Sequence, residues 1–194
     1  TEACEYTNSF LDFFPKISVI LNVEEDHMDF FKDIDDIRLS FHRFAALLPE
    51  DGALIINKNI EKMETITEGL SCNIITYSEV QEADYSAANI AFDALGNASF
   101  DLVKYGENIG RIQLSVAGKH NVSNALSTIA VAELLNIDLD TIQKGLLSFT
   151  GTDRRFQYKG ERNGITIIDD YAHHPTEIRA TLTSARNYPH KDIW

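Results

Sequence analysis

KISVILNVEEDHMD, residues 16–29, is the stretch whose reading decides the fold. Ile17, Val19, Ile20, Leu21 and Val23 make an apolar run of strand length, rich in β-branched residues. Such a run suits a strand buried on both faces of a parallel sheet. It stops abruptly at Glu24, Glu25, Asp26, His27 and Asp29. In open α/β sheets ligands bind just past the carboxyl ends of the strands, so polar groups gathered there are placed for chemistry. A histidine with carboxylates within two residues has the donor types for a divalent metal. A solvated acidic loop carrying one ordinary histidine accounts for the same letters, and spacing alone does not separate the two.

Composition narrows the class. The chain has 194 residues, 44% of them hydrophobic, with 11 Phe and 7 Tyr, enough for one sizeable core or for one domain and part of another. No apolar run approaches the roughly 20 residues that span a bilayer, and residues 1–20 lack a basic-then-apolar leader. Cys4 and Cys72 stand far apart without metal spacing, which fits a reducing, cytoplasmic setting. A formal charge of −13 argues against a nucleic-acid backbone as partner, since that needs a basic surface. A nucleotide, which needs only a few local donors, stays possible.

Downstream, the periodicity alternates between strand and helix. Ile34, Ile37, Phe41, Phe44 and Leu48 recur at helical spacing after Asp33. Ala53–Ile56 reads as a buried strand, Ile60, Met63, Ile66 and Leu70 as a helix, and Asn73–Tyr77 as a strand. This order implies βαβ units and a mostly parallel sheet flanked by helices. From Tyr85 to Val116 the alternation becomes that of an antiparallel meander of about three strands, a small subsheet expected to pack against the main one. Helices return with Val122, Leu126, Ile129, Ala130 and Leu134, then with a capping-box start at Asp140 and Gln143. Ser148–Arg155 is a glycine-containing linker. Ile165–Ile168 is a strand that ends in Asp169-Asp170, and Pro175 opens a last helix that stops at Asn187-Tyr188-Pro189. The division expected is a domain over 1–155 and the beginning of a second over 156–194. Thr1–Tyr6 opens on a site-like string and Asp192-Ile193-Trp194 resembles the start of a strand, so the chain reads as an excised piece. In such a piece the open edges of Ile165–Ile168 would favour dimerisation or swapping.

Three further strings carry chemistry. In Gly118-Lys119-His120-Asn121-Val122-Ser123-Asn124 a strand gives way to a helix with Asn121 and Asn124 one turn apart. An asparagine amide offers a donor and an acceptor together, which matches the N6/N7 edge of adenine, although Asn121 could equally be a helix cap. Arg154 and Arg155 follow a flexible turn and could grip a phosphate, or could be surface charges. Asp169-Asp170-Tyr171-Ala172-His173-His174-Pro175-Thr176-Glu177 again lies between a strand end and a helix start, where carboxylates could hold ribose hydroxyls and the helix start an anion.

Taken with Glu2-Ala3-Cys4-Glu5-Tyr6 and Asn22–Asp29, these strings resemble the Mur ligases, the ATP-dependent amide-forming enzymes of peptidoglycan synthesis. They occur in the family's order across essentially the whole chain, and DDYAHHPTE resembles the alanine-adding branch. The resemblance implies a central ATPase domain followed by the opening of a Rossmann-like C-terminal domain. It implies that Glu2 and His27 hold Mg²⁺, that His120, Asn121 and Asn124 surround adenine, and that Arg155, helped by Arg154, faces the phosphates. Asp170 would bind the ribose, and His173, with Tyr171 nearby, would lie towards the muramyl substrate or the incoming alanine. The reaction implied is phosphorylation of the UDP-N-acetylmuramate carboxylate by ATP, followed by attack of the L-alanine amine on the acyl phosphate.

The chain departs from that pattern in places. The family's phosphate loop, a Gly-Lys-Thr/Ser string, is absent, as are the uridine-nucleotide domain and the downstream residues expected to grip the alanine carboxylate. Ile37–Phe44 holds Arg38, His42 and Arg43 but no lysine, so the carbamylated lysine of some branches is not expected. Two other readings stay open: a metal-dependent hydrolase built on His27, His173, His174 and the nearby aspartates, and a non-catalytic Mur-like paralogue. By itself this chain is expected to release no ADP in response to alanine; an alanine-dependent ADP signal from the purified chain in a coupled assay would contradict that.

Overall fold

A computed structural model describes every residue of the chain except Glu2. A 3₁₀ segment over Tyr6–Asp12 precedes β1 (Ile17–Ile20), α1 (Ile34–Ala45), β2 (Ala53–Asn57), the single turn α2 (Glu64–Thr67) and β3 (Asn73–Ser78). The meander β4 (Tyr85–Phe92), β5 (Asn97–Lys104) and β6 (Glu107–Ala117) follows, then α3 (His120–Leu134) and α4 (Leu139–Ser148). The hairpin β7 (Gln157–Arg162) and β8 (Ile165–Asp169) leads into α5 (Pro175–Asn187).

Six strands form one sheet in sequence order, β1 to β6. β1–β2, β2–β3 and β3–β4 pair in parallel, and the two meander pairs are antiparallel. The meander therefore extends the parallel sheet edge-on, through the pairs Tyr77–Tyr85 and Ser78–Ser86, rather than packing on its face. Period-two alternation explains how both faces are used. Leu54 and Ile56 point to a core with Ile20, Ala45 and Ile66, under α1 and α2. Ala53 and Ile55 point to the other core, where Tyr77, Phe100, Leu102 and Ile112 meet Val122, Leu126 and Ile129 of α3.

β2 is thus the strand buried on both faces, whereas β1 alternates: Ser18 and Ile20 are buried and Val19 is 38% exposed. β1 has a hydrogen-bonded neighbour on one side only, and α3 covers it incompletely. The expected helix over Ile60–Leu70 shrinks to one turn, because Lys62 adopts φ +56° and Gly69 ends it at φ +73°. The cap of α4 lies two residues before Asp140: it is Asp138, which accepts from the Thr141 amide at 2.9 Å. β7 has no apolar alternation to reveal it. Its signal is the turn Asn163-Gly164, where both residues have positive φ, as a two-residue hairpin requires. β8 gains an antiparallel partner on one side in β7.

No helix among the described residues is long and apolar enough to cross a membrane. Because Ile55 is fully buried on the α3 face, Ile55→Ala should cost about 2–5 kcal/mol of unfolding free energy. Urea denaturation read by circular dichroism checks this; a loss below about 1 kcal/mol would mean that the core around β2 collapses to fill the space.

Candidate functional site

The ends of β1 and β6, the start of α3, the linker after α4 and the inner side of α5 enclose one crevice of about 1290 Å³. Of the residues singled out from sequence, His120, Asn121, Asn124, Arg155, Asp170 and His173 line it. His27 stands beside it, behind Glu5 and Asp26, which do line it. Arg154 does not reach it: its guanidinium lies 4.4 Å from the centre of the Tyr171 ring, and its Nε is 4.0 Å from Asp169. Glu2 lies outside the described residues.

At the β1 end, His27 sits in the left-handed region at φ +52°, and its carbonyl accepts from the amides of Phe30 and Phe31. This turn aims the imidazole back at the first residues of the chain. His27 Nε2 is 3.7 Å from Glu5 Oε1 and its Nδ1 is 3.9 Å from Asp26 Oδ1. The Tyr6 ring covers the imidazole at 4.7 Å, and the Tyr6 hydroxyl donates to Asp29 at 3.0 Å. Among the described residues, Glu5, Asp26 and His27 form the one group of three or more potential metal ligands, their ligand atoms within 4.8 Å of one another. Two carboxylates and one imidazole make an oxygen-dominated set that fits a hard divalent cation. Sequence reasoning passed over Glu5; the signal was present, since it stands in the same short acidic string as Glu2. His173 and His174 do not join this group, so the three-histidine centre of a hydrolase is not assembled.

At the α3 end, Gly118 has φ +101° and closes the turn from β6. The Asn121 amide donates to the Ala117 carbonyl at 2.8 Å and its Oδ1 accepts from Asn124 at 3.3 Å. The pair is therefore held as a unit with its outer edge toward the crevice. His120 borders the same space. Solvent reaches its ring through the crevice, yet the protein crowded around it disfavours the charged form and holds its pKa below the usual histidine range. The Asp170 carboxylate opposes this and the Arg155 guanidinium adds to it.

The wall facing α3 is built from the linker and α5. Asp170 accepts from the Phe156 and Ala172 amides, both at 2.8 Å, so its carboxylate ties the linker to the loop after β8. Arg155 donates to Glu177 at 3.1 Å. Burial works against the Glu177 carboxylate, but the Arg155 hydrogen bond and the His173 and His174 amides outweigh it and hold its pKa below the usual range. The His173 ring packs on Tyr171 at 5.1 Å with Nδ1 3.0 Å from the Tyr171 carbonyl. The lining carries Glu5, Glu24, Asp26, Asp153, Asp170 and Glu177 against Arg155 as its one permanent cation among the described residues. A polyanion could lie there only with a metal to offset those carboxylates.

The sequence pattern of the Mur ligase middle domain matches residues 3–132, and that of the Mur ligase glutamate ligase domain matches residues 154–194. The chain belongs to the Mur ligase family. A UDP-N-acetylmuramate–L-alanine ligase of Lachnospira eligens is 54% identical over 194 residues, which is all of this chain and 42% of the relative. The enzyme of the same name from Agathobacter rectalis is 55% identical over 190 residues, covering 98% of this chain and 41% of its own length. The chain thus spans about two-fifths of the curated Mur ligases it matches. Among solved structures, the UDP-N-acetylmuramate–alanine ligase MurC of Thermotoga maritima aligns with a TM-score of 0.77 at 26% identity, over 93% of this chain and 40% of that one.

The neutral His120 has a consequence for stability. Its native pKa lies below the unfolded value of 6.5, so the unfolded chain takes up the proton first and native stability falls as pH drops through that value. Urea melts at about pH 7.5 and about pH 5.5 should show wild type losing more stability than His120→Gln. Equal losses would mean that the ring titrates in the native protein as it does in the unfolded chain.

Proposed function

We propose that the crevice is the Mg-ATP site of a ligase that joins L-alanine to UDP-N-acetylmuramate, and that this chain supplies the adenine, ribose and metal side of it. The observation that carries the reading is the convergence, on one crevice, of the Asn121–Asn124 pair, Arg155, Asp170 and the Glu5–Asp26–His27 group from separate parts of the chain. The boundary between the central ATP-binding unit and the opening of the C-terminal unit falls after Arg155, where the linker enters β7.

In this reading Asn121 and Asn124 present an amide donor and acceptor to the adenine edge, with the neutral His120 imidazole beside it. Asp170, already oriented by two backbone donors, is placed for ribose hydroxyls. Glu5, Asp26 and His27 would hold Mg²⁺, with Glu2 a further candidate; the ion, when bound, supplies charge neutralisation for the transferring phosphoryl group. Arg155 exchanges its Glu177 contact for a phosphate, a trade that keeps its charge paired. Its neighbour Arg154 holds the linker through Tyr171 and acts on the phosphates indirectly. His173, at the crevice wall next to Tyr171, lies on the side where the muramyl carboxylate or the amine would approach. The protein's part is positioning and charge compensation. A cytoplasmic location suits these small, soluble substrates.

The Asn pair supplies only about 1–3 kcal/mol, whereas micromolar affinity needs about 8, so ATP is expected to bind this chain weakly, no tighter than the millimolar range. Titration with Mg-ADP followed by amide NMR should shift resonances at His120, Asn121, Asn124 and Gly151–Phe156, and Asn124→Ala should weaken the response about tenfold. Shifts confined to surfaces away from the crevice would overturn the reading.

A further inference from the structure

Arg154 and Arg155 are neighbours in sequence yet point to different places, and the backbone around them shows why. Arg154 has φ +60° and Phe156 has φ +48°, so left-handed backbone stands on both sides of Arg155. Neither residue is a glycine, and such conformations persist only where surrounding contacts impose them. Some of those contacts are made by the backbone or come from the loop after β8. The Tyr171 amide donates to the Arg154 carbonyl at 2.7 Å, the Arg155 amide to the Thr152 carbonyl at 3.2 Å, and the Phe156 amide to Asp170 at 2.8 Å. The remaining contact is made by the side chain of Gln157, which is half-buried at the start of β7 and paired there with Asp169. Gln157 Oε1 accepts from the Arg154 amide at 3.0 Å, and its Nε2 donates to Asp153 Oδ1 at 2.7 Å. A backbone amide only donates and a carboxylate only accepts, so the carboxamide has a single orientation that satisfies both.

We propose that Gln157 is a positioning residue for Arg155. Its carboxamide holds the left-handed turn at Arg154, which lays Arg154 against the Tyr171 ring and leaves Arg155 directed at the crevice and at Glu177. The turn needs an acceptor for the Arg154 amide and a donor for Asp153 on one short planar group, and a glutamine carboxamide carries both. A glutamate at this position would carry no donor. It would also set a second negative charge where Nε2 now meets Asp153. An alanine would leave the Arg154 amide to water, which satisfies the donor but fixes no direction. That Arg155 goes on to meet a phosphate rests on the nucleotide reading above; the direction of its side chain does not.

The test uses the whole chain with isotope-labelled arginine, first without nucleotide. Gln157→Glu should speed hydrogen exchange at the Arg154 amide about tenfold, since that amide loses its fixed acceptor. It should also move the side-chain Nε–H resonances of Arg154, which leaves the Tyr171 ring, and of Arg155, which loses its set approach to Glu177. Adding Asp153→Asn reverses the donor and acceptor roles. The new amide at position 153 then donates to the new carboxylate at position 157, which still accepts from the Arg154 amide. The combined variant should therefore return the exchange rate to within about threefold of wild type and bring both resonances back. A residue that merely stabilised the fold would gain nothing from the second substitution. Mg-ADP is added as a separate arm: Gln157→Glu should weaken the response about tenfold and the combined variant should restore it. No response from wild type would sink the nucleotide reading, and the nucleotide-free comparison would still decide the role of Gln157. Any of three results overturns the proposal: unchanged exchange at Arg154 in Gln157→Glu, an Arg155 resonance that stays in place, or a combined variant no closer to wild type than Gln157→Glu alone. A wild-type Mg-ADP response that Gln157→Glu leaves undiminished overturns the step from the turn to the phosphates.

Discussion

The crevice depends on the absence of a side chain at Gly118. Its left-handed backbone turns the chain from β6 into α3 within two residues, Gly118 and Lys119, and its bare Cα lets α5 approach to contact distance. Any L side chain there would meet both constraints at once, the disfavoured φ and the occupied space. Because α5 can come that close, the second unit lies against the first along one line. Arg155 and Asp170 then turn into the crevice, whereas Arg154 lies on the Tyr171 ring. The β7–β8 hairpin brings Arg155 and Asp170 together, and the approach of α5 to the β6–α3 turn sets them across the crevice from the Asn121–Asn124 pair.

The electrostatics of the crevice follow from what surrounds it. Carboxylates outnumber the single guanidinium along the walls; Asp26, Asp170 and Glu177 accept from backbone amides, Glu24 from the Thr176 hydroxyl and Asp153 from the Gln157 amide. Such an arrangement is stable only while water or a cation fills the space between the acids. It also explains why the family resemblance could be read from strings that individually look like ordinary surface loops. Each string is acidic or polar because it faces a shared wet interior, and each looks unremarkable until the others are set opposite it.

Much of the fold was legible in the letters. Helical spacing from Ile34 to Leu48 and the strands at Ala53 and Asn73 were plain, since burial on one or both faces imposes a period that no other constraint contradicts. The failures are equally physical. β1 looked like a two-faced strand because its letters are apolar, but which face a strand covers depends on its neighbours, and β1 has one. The helix after β2 was cut to a turn by backbone conformations at Lys62 and Gly69 that residue spacing does not encode. β7 was hidden because a half-exposed hairpin strand needs no apolar alternation. The residues that line the crevice were legible by type and order: an acidic loop before His27, an asparagine pair at a helix start and an arginine in a linker. The contact of Glu5 with His27 and the turn of Arg154 onto Tyr171 were not legible, as each depends on which side of a turn faces the crevice.

By itself the sequence determined the alternation of strands and helices, the family, and the list of side chains available for nucleotide chemistry. These are local properties, set by period, by turn residues and by short strings whose letters lie within a few positions of one another. Only the tertiary structure decided that Glu5 rather than a distant residue stands next to His27, that Arg155 faces inward while Arg154 lies on Tyr171, and that Thr176 meets Glu24 across 152 residues of chain. Those pairings arise where loops from different strands end at one place, and the position of each loop end is fixed by the packing of the sheet beneath it.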